Sequence, residues 1–500
     1  MKAFFRAIFT ITAFSVLTKL LSFLLKIFLS RKVGAEYIGM IQVASSICMI
    51  FITLSTSGLN LIISKSTSEN AERKIESKTF SLITACIMIA LMVAGICTSF
   101  VLIFSSQIKS VTQDKVFTLL LYMLPCLFSV SISSALTGYF WGKKKYLANS
   151  FSDFFEQFLK SIFCLVLVSV STDDFNGAVF AVVSMSIACF ISTILNIILY
   201  KSMGGKFAMP HKKDFSYLIK KSLPITAVRF INSFTHPLIA IIVPLKLESI
   251  GFSSSKALSM FGIFQGMTLP LIFMPMMIIG AVSTVLIPDI VAYYTKKFIP
   301  KCQNIINLNI SVALFVTCLI LPLFTALGEP IGIFLFDNTE SGMYLIKSAW
   351  IMIPVAINSI SSSILNVLNK EKKSSINFVL GTITLIFAII ILPDYIDILS
   401  IPYGLGISMI VSSLLNIKVI KKDLNFSFNI LKPLTTFLLF GIPTYFFTSL
   451  LYSVMNNYFT VFYSLIVSGG LGAMFFLTLC YVFKIVDISV VMGYKEILQN

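Results

Sequence analysis

The sequence predicts an all-α, polytopic membrane protein of about fourteen transmembrane helices, built as two parallel six-helix lobes followed by two C-terminal helices. Three observations predict it. Hydrophobic residues fill 57% of the 500 positions against 12% charged, and a mean hydropathy of +0.95 is not that of a soluble domain. Apolar runs of about 20 residues, long enough to cross a bilayer as a helix, recur from one end of the chain to the other. The basic residues fall on alternate connections between those runs.

In order, the runs occupy residues 4–29, 37–63, 80–104, 117–140, 151–170 and 177–200, then 222–246, 259–290, 304–328, 343–369, 375–393 and 401–418, and last 434–453 and 460–483. All are expected to be helices, because hydrocarbon offers no partner to an unpaired backbone N–H or C=O. The first follows Lys2 and Arg6, as a secretory leader would, but it is too long, carries Lys19 and lacks a small-residue cleavage site, so it is expected to be retained. The fifth carries Asp153, Glu156 and Lys160. The seventh contains Pro237 and Pro244, and the eighth Pro270, Pro275 and Pro288. Each proline removes an intrahelical N–H and bends the helix, and Pro270 and Pro275 are candidate hinges.

With the N-terminus in the cytoplasm, and with Arg6, Lys246 and Lys418 at span edges counted with the tail or connection they adjoin, the tails and even-numbered connections hold 27 of the 38 Lys and Arg, the opposite side six and the spans five. The positive-inside rule then predicts a multi-pass protein of the plasma membrane with both termini cytoplasmic. The same distribution accounts for the net charge of +17 without nucleic acid, since the lysines are spread over short loops that set topology and meet anionic lipid. Of nine cysteines only Cys302 is expected in a connection, and with no CxxC they are read as small packing residues, with no metal site. The longest cytoplasmic connection, 201–221, has no phosphate-cradling glycine loop, which excludes a built-in ATPase. No cofactor is expected. Energy would come from the membrane potential, a Na⁺ or H⁺ gradient, or the substrate gradient.

Internal repetition divides the chain. Tyr37-Ile-Gly39-Met-Ile-Gln42 opens the second span and Met260-Phe-Gly262-Ile-Phe-Gln265 the eighth; Ser131-Ile-Ser-Ser134 in the fourth matches Ser359-Ile-Ser-Ser362 in the tenth. The second register also carries Lys144-Lys145 onto Lys372-Lys373 and Asn149 onto Asn377. Similar offsets six spans apart point to duplication, and because six is even the copies share one orientation, as in transporters built from parallel repeats. The expected division is residues 1–221, 222–433 and a 434–500 appendage of two helices and a cytoplasmic tail.

Charges inside the spans are the candidate functional groups, because even lenient scales put a lysine at a helix centre at about +2.5 to 3.5 kcal/mol. Lys19 and Lys26 are seven residues apart and share a helix face. Lys19 lies roughly 4 Å from the middle of its span and is expected to face a central cavity; Lys26, nearer the outer end, either faces it too or snorkels. Arg229, on the repeat equivalent of the first span, suits a bidentate phosphate contact or a structural ion pair. Glu156 and Lys160 are spaced i,i+4 with Asp153 one turn earlier: either a self-neutralising pair or a coupling or gating group. Arg31, Lys32, Asp289 and Lys347 are expected anchors near span ends, and His236 helix glue. No catalytic residue is assigned.

Several motifs carry a family resemblance. They are Phe28-Leu-Ser-Arg31-Lys-Val-Gly34-Ala-Glu36-Tyr-Ile-Gly39, continuing to Leu54-Ser-Thr-Ser-Gly58 and Ile63-Ser-Lys65; Gly138-Tyr-Phe-Trp-Gly142 with Glu156-Gln157; and Gly266-Met-Thr-Leu-Pro270 with Pro275 and Leu286-Ile-Pro288. Together they resemble the stage V sporulation protein B-like polysaccharide biosynthesis proteins of the multidrug/oligosaccharidyl-lipid/polysaccharide exporter superfamily, which includes lipid II flippases. The resemblance implies cations lining a central cavity, for which Lys19, Lys26, Lys65 and Arg229 are the counterparts, although lysine replaces an expected arginine on the first helix and Asn60 replaces a frequent proline. It implies a transporter, not an enzyme, whose partners are a polyprenyl-pyrophosphate-linked saccharide, the lipid bilayer and the cell-wall synthesis machinery. The alternatives are a cation-coupled multidrug antiporter, which would want an acidic cavity, and a membrane-embedded cell-wall transferase, for which only an unpatterned group of outer acids, including Asp394 and Asp397, is available.

Overall fold

A computed structural model describes residues 2–72, 75–424 and 430–483; residues 484–500 of the expected tail lie outside the described residues. The described chain is helical throughout its length and forms two compact units, residues 1–266 and 267–500.

The first unit contains α1 (Lys2–Val33), α2 (Ala35–Glu72), α3 (Glu76–Ile103), α4 (Ser105–Thr112), α5 (Asp114–Gly142), α6 (Tyr146–Ser169), α7 (Asp174–Ser202), α8 (Lys212–Ser233), α9 (Thr235–Ser249) and α10 (Ser254–Gly262). α1 ends at Gly34, whose φ of 85° reverses the chain into α2. α7 is capped by the Asp173 carboxylate on the Asn176 N–H at 2.7 Å, and α8 by a reciprocal box between His211 and Asp214. The core lies among α2, α3, α5 and α7, where Leu59, Ile63, Ile83, Tyr139, Phe140 and Tyr200 are buried together. Tyr139 and Tyr200 meet edge to face at 4.9 Å between centroids, a geometry that aromatic quadrupoles favour.

A π-helical turn, Ile263–Thr268, follows α10. It precedes Pro270, which has no N–H for the Gly266 carbonyl, and the wider turn absorbs the missing bond. The division between the compact units falls inside this turn. The second unit continues with α11 (Leu269–Phe273), α12 (Met276–Thr295), α13 (Ile299–Phe336), α14 (Thr339–Ser348), α15 (Met352–Val367), α16 (Glu371–Ile391), α17 (Pro393–Ile396), α18 (Ser400–Leu424), α19 (Leu431–Met455) and α20 (Val461–Val482). Its core gathers Ile306, Leu314, Ile360, Ile364, Phe437 and Phe476 around α13.

Twelve helices among the described residues are long and apolar enough to cross a membrane. The other two expected spans are present in a different form. The fifth is α6, a continuous helix whose three charges lower its apolar content. The seventh is divided into α8 and α9 at Phe234, because Pro237 cannot donate to the Ser233 carbonyl. Cys302 is not in a connection: α13 begins at Ile299, and all nine thiols are buried. The duplicated serines have the same use in each unit. Asn196 of α7 donates to Ser133 of α5 at 3.3 Å, and Asn416 of α18 donates to Ser361 of α15, the counterpart of Ser133, at 3.3 Å. The division expected at 1–221 and 222–433 follows the sequence repeat, whereas the compact units follow packing, and α8 to α10 belong to the first unit.

Candidate functional site

All four candidate cations lie in the first unit. α1 meets α6 through Phe14, whose ring is 5.5 Å from that of Phe154 and 6.0 Å from that of Phe151. The opposite face of α1 is open: Lys19 is exposed beside Val16, Leu17, Leu20 and Leu24. Among the described residues Lys19 has no carboxylate within ion-pairing distance. Lys26 is half-buried, within electrostatic range of Lys160 on α6. Although they share a helical face, the two lysines therefore have different surroundings.

Glu156 and Lys160 have the spacing of an ion pair but, among the described residues, do not form one. The Cys189 thiol of α7 donates to Glu156 at 3.5 Å, while Lys160 is within electrostatic range of Lys26. Asp153 is exposed and accepts from Asn149 at 3.0 Å. The thiols of Cys126 and Cys189 approach to 3.0 Å behind Glu156. The structure thus groups Lys26, Glu156 and Lys160 where α1, α6 and α7 meet.

Arg229 is exposed on α8, which docks on α2 where Gly58 leaves room for Ser222 and Thr226; any Cβ there would overlap both. Lys19 and Arg229 each stand 17 residues into their helices, which begin at Lys2 and Lys212, or about 26 Å along the axis. Lys65 is placed apart from them. It lies near the C-terminal end of α2, exposed, with Glu69 at 3.9 Å, in a groove of about 400 Å³ that includes Trp141, Lys144 and Tyr146.

At the other end of α2 the duplicated motifs touch. A Cβ on Gly39 would overlap the Leu258 carbonyl, and one on Gly262 the Ala35 carbonyl and the Gly39 N–H. The two repeat-equivalent glycines thus let α2 and α10 cross backbone to backbone. Polar contacts close the same end: Ser255 donates to Glu36 at 2.6 Å, and the Gln113 amide donates to Ser254, whose hydroxyl donates to Glu248. Gln113 has φ 77°, a left-handed backbone held at the junction of α4 and α5. These polar partners were missed in the sequence, as was Cys189; the repeated Gly-x-x-Gln pattern was the one signal that marked this crossing. Pro270 lies in the first turn of α11, and Pro275 stands at the break before α12.

Residues 4–294 match the family model described as polysaccharide biosynthesis protein. The chain belongs to that family. The chain is 26% identical over 305 residues to stage V sporulation protein B of Bacillus subtilis (strain 168), the alignment spanning 58% of each chain. Lipid II flippase MurJ, in an inward closed conformation, has a similar fold, with a TM-score of 0.75 at 14% identity over 95% of this chain and 99% of that one. An inward-facing multidrug resistance MATE family transporter of the MOP superfamily gives 0.65 at 13% identity, over 82% and 94%. A MOP superfamily transporter from Pyrococcus furiosus gives 0.61 at 13% identity, over 83% and 94%. These likenesses establish the fold.

Proposed function

We propose that this chain carries a lipid-linked oligosaccharide, a polyprenyl-pyrophosphate sugar such as a peptidoglycan precursor, from the cytoplasmic to the outer leaflet of a bacterial plasma membrane. The observation that carries the reading is the pair of exposed cations, Lys19 and Arg229, equally far along two repeat-equivalent helices. A cation at the centre of a span, near which Lys19 lies, costs about 2.5 to 3.5 kcal/mol, and Arg229, seven residues into 222–246, costs less; an anionic ligand offsets both. Pyrophosphate is such a ligand, since ammonium and guanidinium groups replace its lost hydration with charge-assisted hydrogen bonds. Lys26 extends the site, and Lys65 assists loading from the cytoplasmic side.

Family membership and the fold shared with a lipid II flippase support this reading, while the fold alone does not choose between flippase and multidrug antiporter. Charge chooses. Leaving aside Arg6, Lys246 and Lys418 at span edges, the spans carry Lys19, Lys26, Lys160, Arg229 and Lys347 against Asp153, Glu156 and Asp289, an excess of positive charge that repels organic cations. Alternating access follows: the crossing of Gly39 and Gly262 is the outer closure, Pro270 and Pro275 are the hinge, and both termini are cytoplasmic. Glu156, with Lys160 and Asp153, is the coupling or gating group, driven by membrane potential, Na⁺ or H⁺. Cell-wall synthesis enzymes are the partners that would supply and consume the cargo.

Lipid II accessibility at the outer face, measured in cells depleted of other flippases, tests the site. Lys19→Ala and Arg229→Ala are each expected to reduce transport about tenfold or more, the loss of one charge-assisted contact. Full transport by both variants removes the cation site.

A further inference from the structure

We infer that the groove between the end of α2 and the α5–α6 turn is a docking site for the phosphate of a membrane lipid in the cytoplasmic leaflet. The inference rests on the orientation and cargo proposed above. The groove measures about 400 Å³, within the range of ligand sites, roughly 300 to 1,000 Å³. One wall is α2, with Lys65, Ser68 and Glu69; the other is Trp141, Lys144 and Tyr146. The walls are held close by Gly142, where a Cβ would meet the Ser64 carbonyl and Thr67.

The chemistry is graded along the membrane normal. Leu61 and Trp141, both exposed, lie on the span side of the groove, while Lys65, Ser68 and Lys144 lie beyond it. A lipid has the same order, with a chain in hydrocarbon and a phosphate at the interface, where tryptophan and tyrosine also partition. Two ammonium groups on facing walls and a serine hydroxyl supply donors for one phosphate. The start of α6 adds to them: its first turn holds no acidic residue and, among the described residues, no side chain caps it, so its amides favour an anion.

Lysine placement is selective. Of the three consecutive lysines 143–145, Lys143 is paired with Glu76 and lies over the Tyr139 ring, whereas Lys144 lines the groove. α5 ends with the Lys145 N–H on the Phe140 carbonyl at 2.8 Å and the Lys144 N–H on Trp141 at 3.0 Å, a closure that places its left-handed residue at Lys144, φ 57°. Glycine is the usual residue there, so Lys144→Gly removes the ammonium and keeps the turn. Glu69 completes the device. Its carboxylate stands 3.9 Å from the Lys65 ammonium, both side chains at least half exposed, so the pair is weak and an incoming phosphate displaces it. Glu69 is a built-in competitor of the ligand.

The test uses the full chain. It has two tryptophans, so Trp350→Phe leaves Trp141 emission as a report from the groove. Reconstituted in phosphatidylcholine vesicles, this protein is titrated with polyprenyl pyrophosphate, phosphatidylglycerol or inorganic pyrophosphate. Polyprenyl pyrophosphate is expected to give a saturable change, about tenfold weaker with Lys144→Gly or Lys65→Gln and about threefold tighter with Glu69→Gln. Equal binding of phosphatidylglycerol upholds a lipid-phosphate site and assigns it to membrane lipids at large. Affinity unchanged in both lysine variants, weakened by Glu69→Gln, or matched by inorganic pyrophosphate overturns the inference. Native mass spectrometry of lipid adducts on the Trp350-containing chain and its Lys144→Gly variant repeats the comparison without the tryptophan change. Because binding is read apart from transport, loss of the groove with transport intact leaves the flippase reading standing, and a lipid-binding groove on a chain that moves no lipid does the reverse.

Discussion

α2 and its repeat counterpart open on the same Gly-x-x-Gln pattern and then diverge. α2 runs unbroken from Ala35 to Glu72 without a proline, whereas the counterpart passes through α10, a π turn, α11 and α12, with Pro270, Pro275 and Pro288. Duplication kept the glycine contact between Gly39 and Gly262 but not the continuity of the helix. A few missing backbone N–H groups separate a rigid strut from a jointed one, and the boundary between compact units falls at the joint. The polar layers compare similarly. Asn416 donates to Ser361 and Ser362 and accepts from Asn377 at 2.9 Å. Asn196 donates to Ser133, and among the described residues its buried amide oxygen has no partner.

The glycine contact is where the comparison is most easily broken. Gly39→Ala and Gly262→Ala each drive a methyl into backbone that cannot step aside, at a cost of about 3 kcal/mol. A clear drop in the melting temperature of the detergent-solubilised protein is expected for both; unchanged melting would mean that the crossing relaxes freely. The polar layers should separate next. Asn416→Ala, which strands three partners, is expected to cost about 2 kcal/mol and Asn196→Ala about 1 kcal/mol; equal losses in the same melting measurement would erase the distinction between the units. Pro270→Ala has the smallest effect on stability, under about 1 kcal/mol, because the restored N–H finds a carbonyl. Lipid II accessibility should nevertheless fall as the joint stiffens, and undiminished transport would remove Pro270 from the hinge.

The spans were legible because hydrocarbon leaves the backbone no choice but helix; twelve of them needed only an apolar run. Polar extensions were less so. The first turn of α13, with Lys301 and Cys302, lies beyond the apolar run at 304–328, so a hydropathy window stops short of it. The break at Phe234 was marked by Pro237, yet sequence does not tell a bend from an interruption, since neighbouring groups decide which carbonyls find partners. Lys19 and Arg229 were visible as charges in the wrong solvent. The partners of Glu156 were not, because Cys189 is 33 residues away and nothing local favours a thiol over Lys160. Nor could the spacing of Lys19 and Lys26 show that packing against α6 leaves one exposed and the other half-buried.

The nine buried thiols have a practical consequence. A water-borne maleimide meets almost no native sulfur on this molecule, so a cysteine placed at Lys19, Lys65 or Arg229 would report its own accessibility against a silent background. The small side chains that let the helices pack closely thereby also make the chain ready for labelling from either side of the membrane.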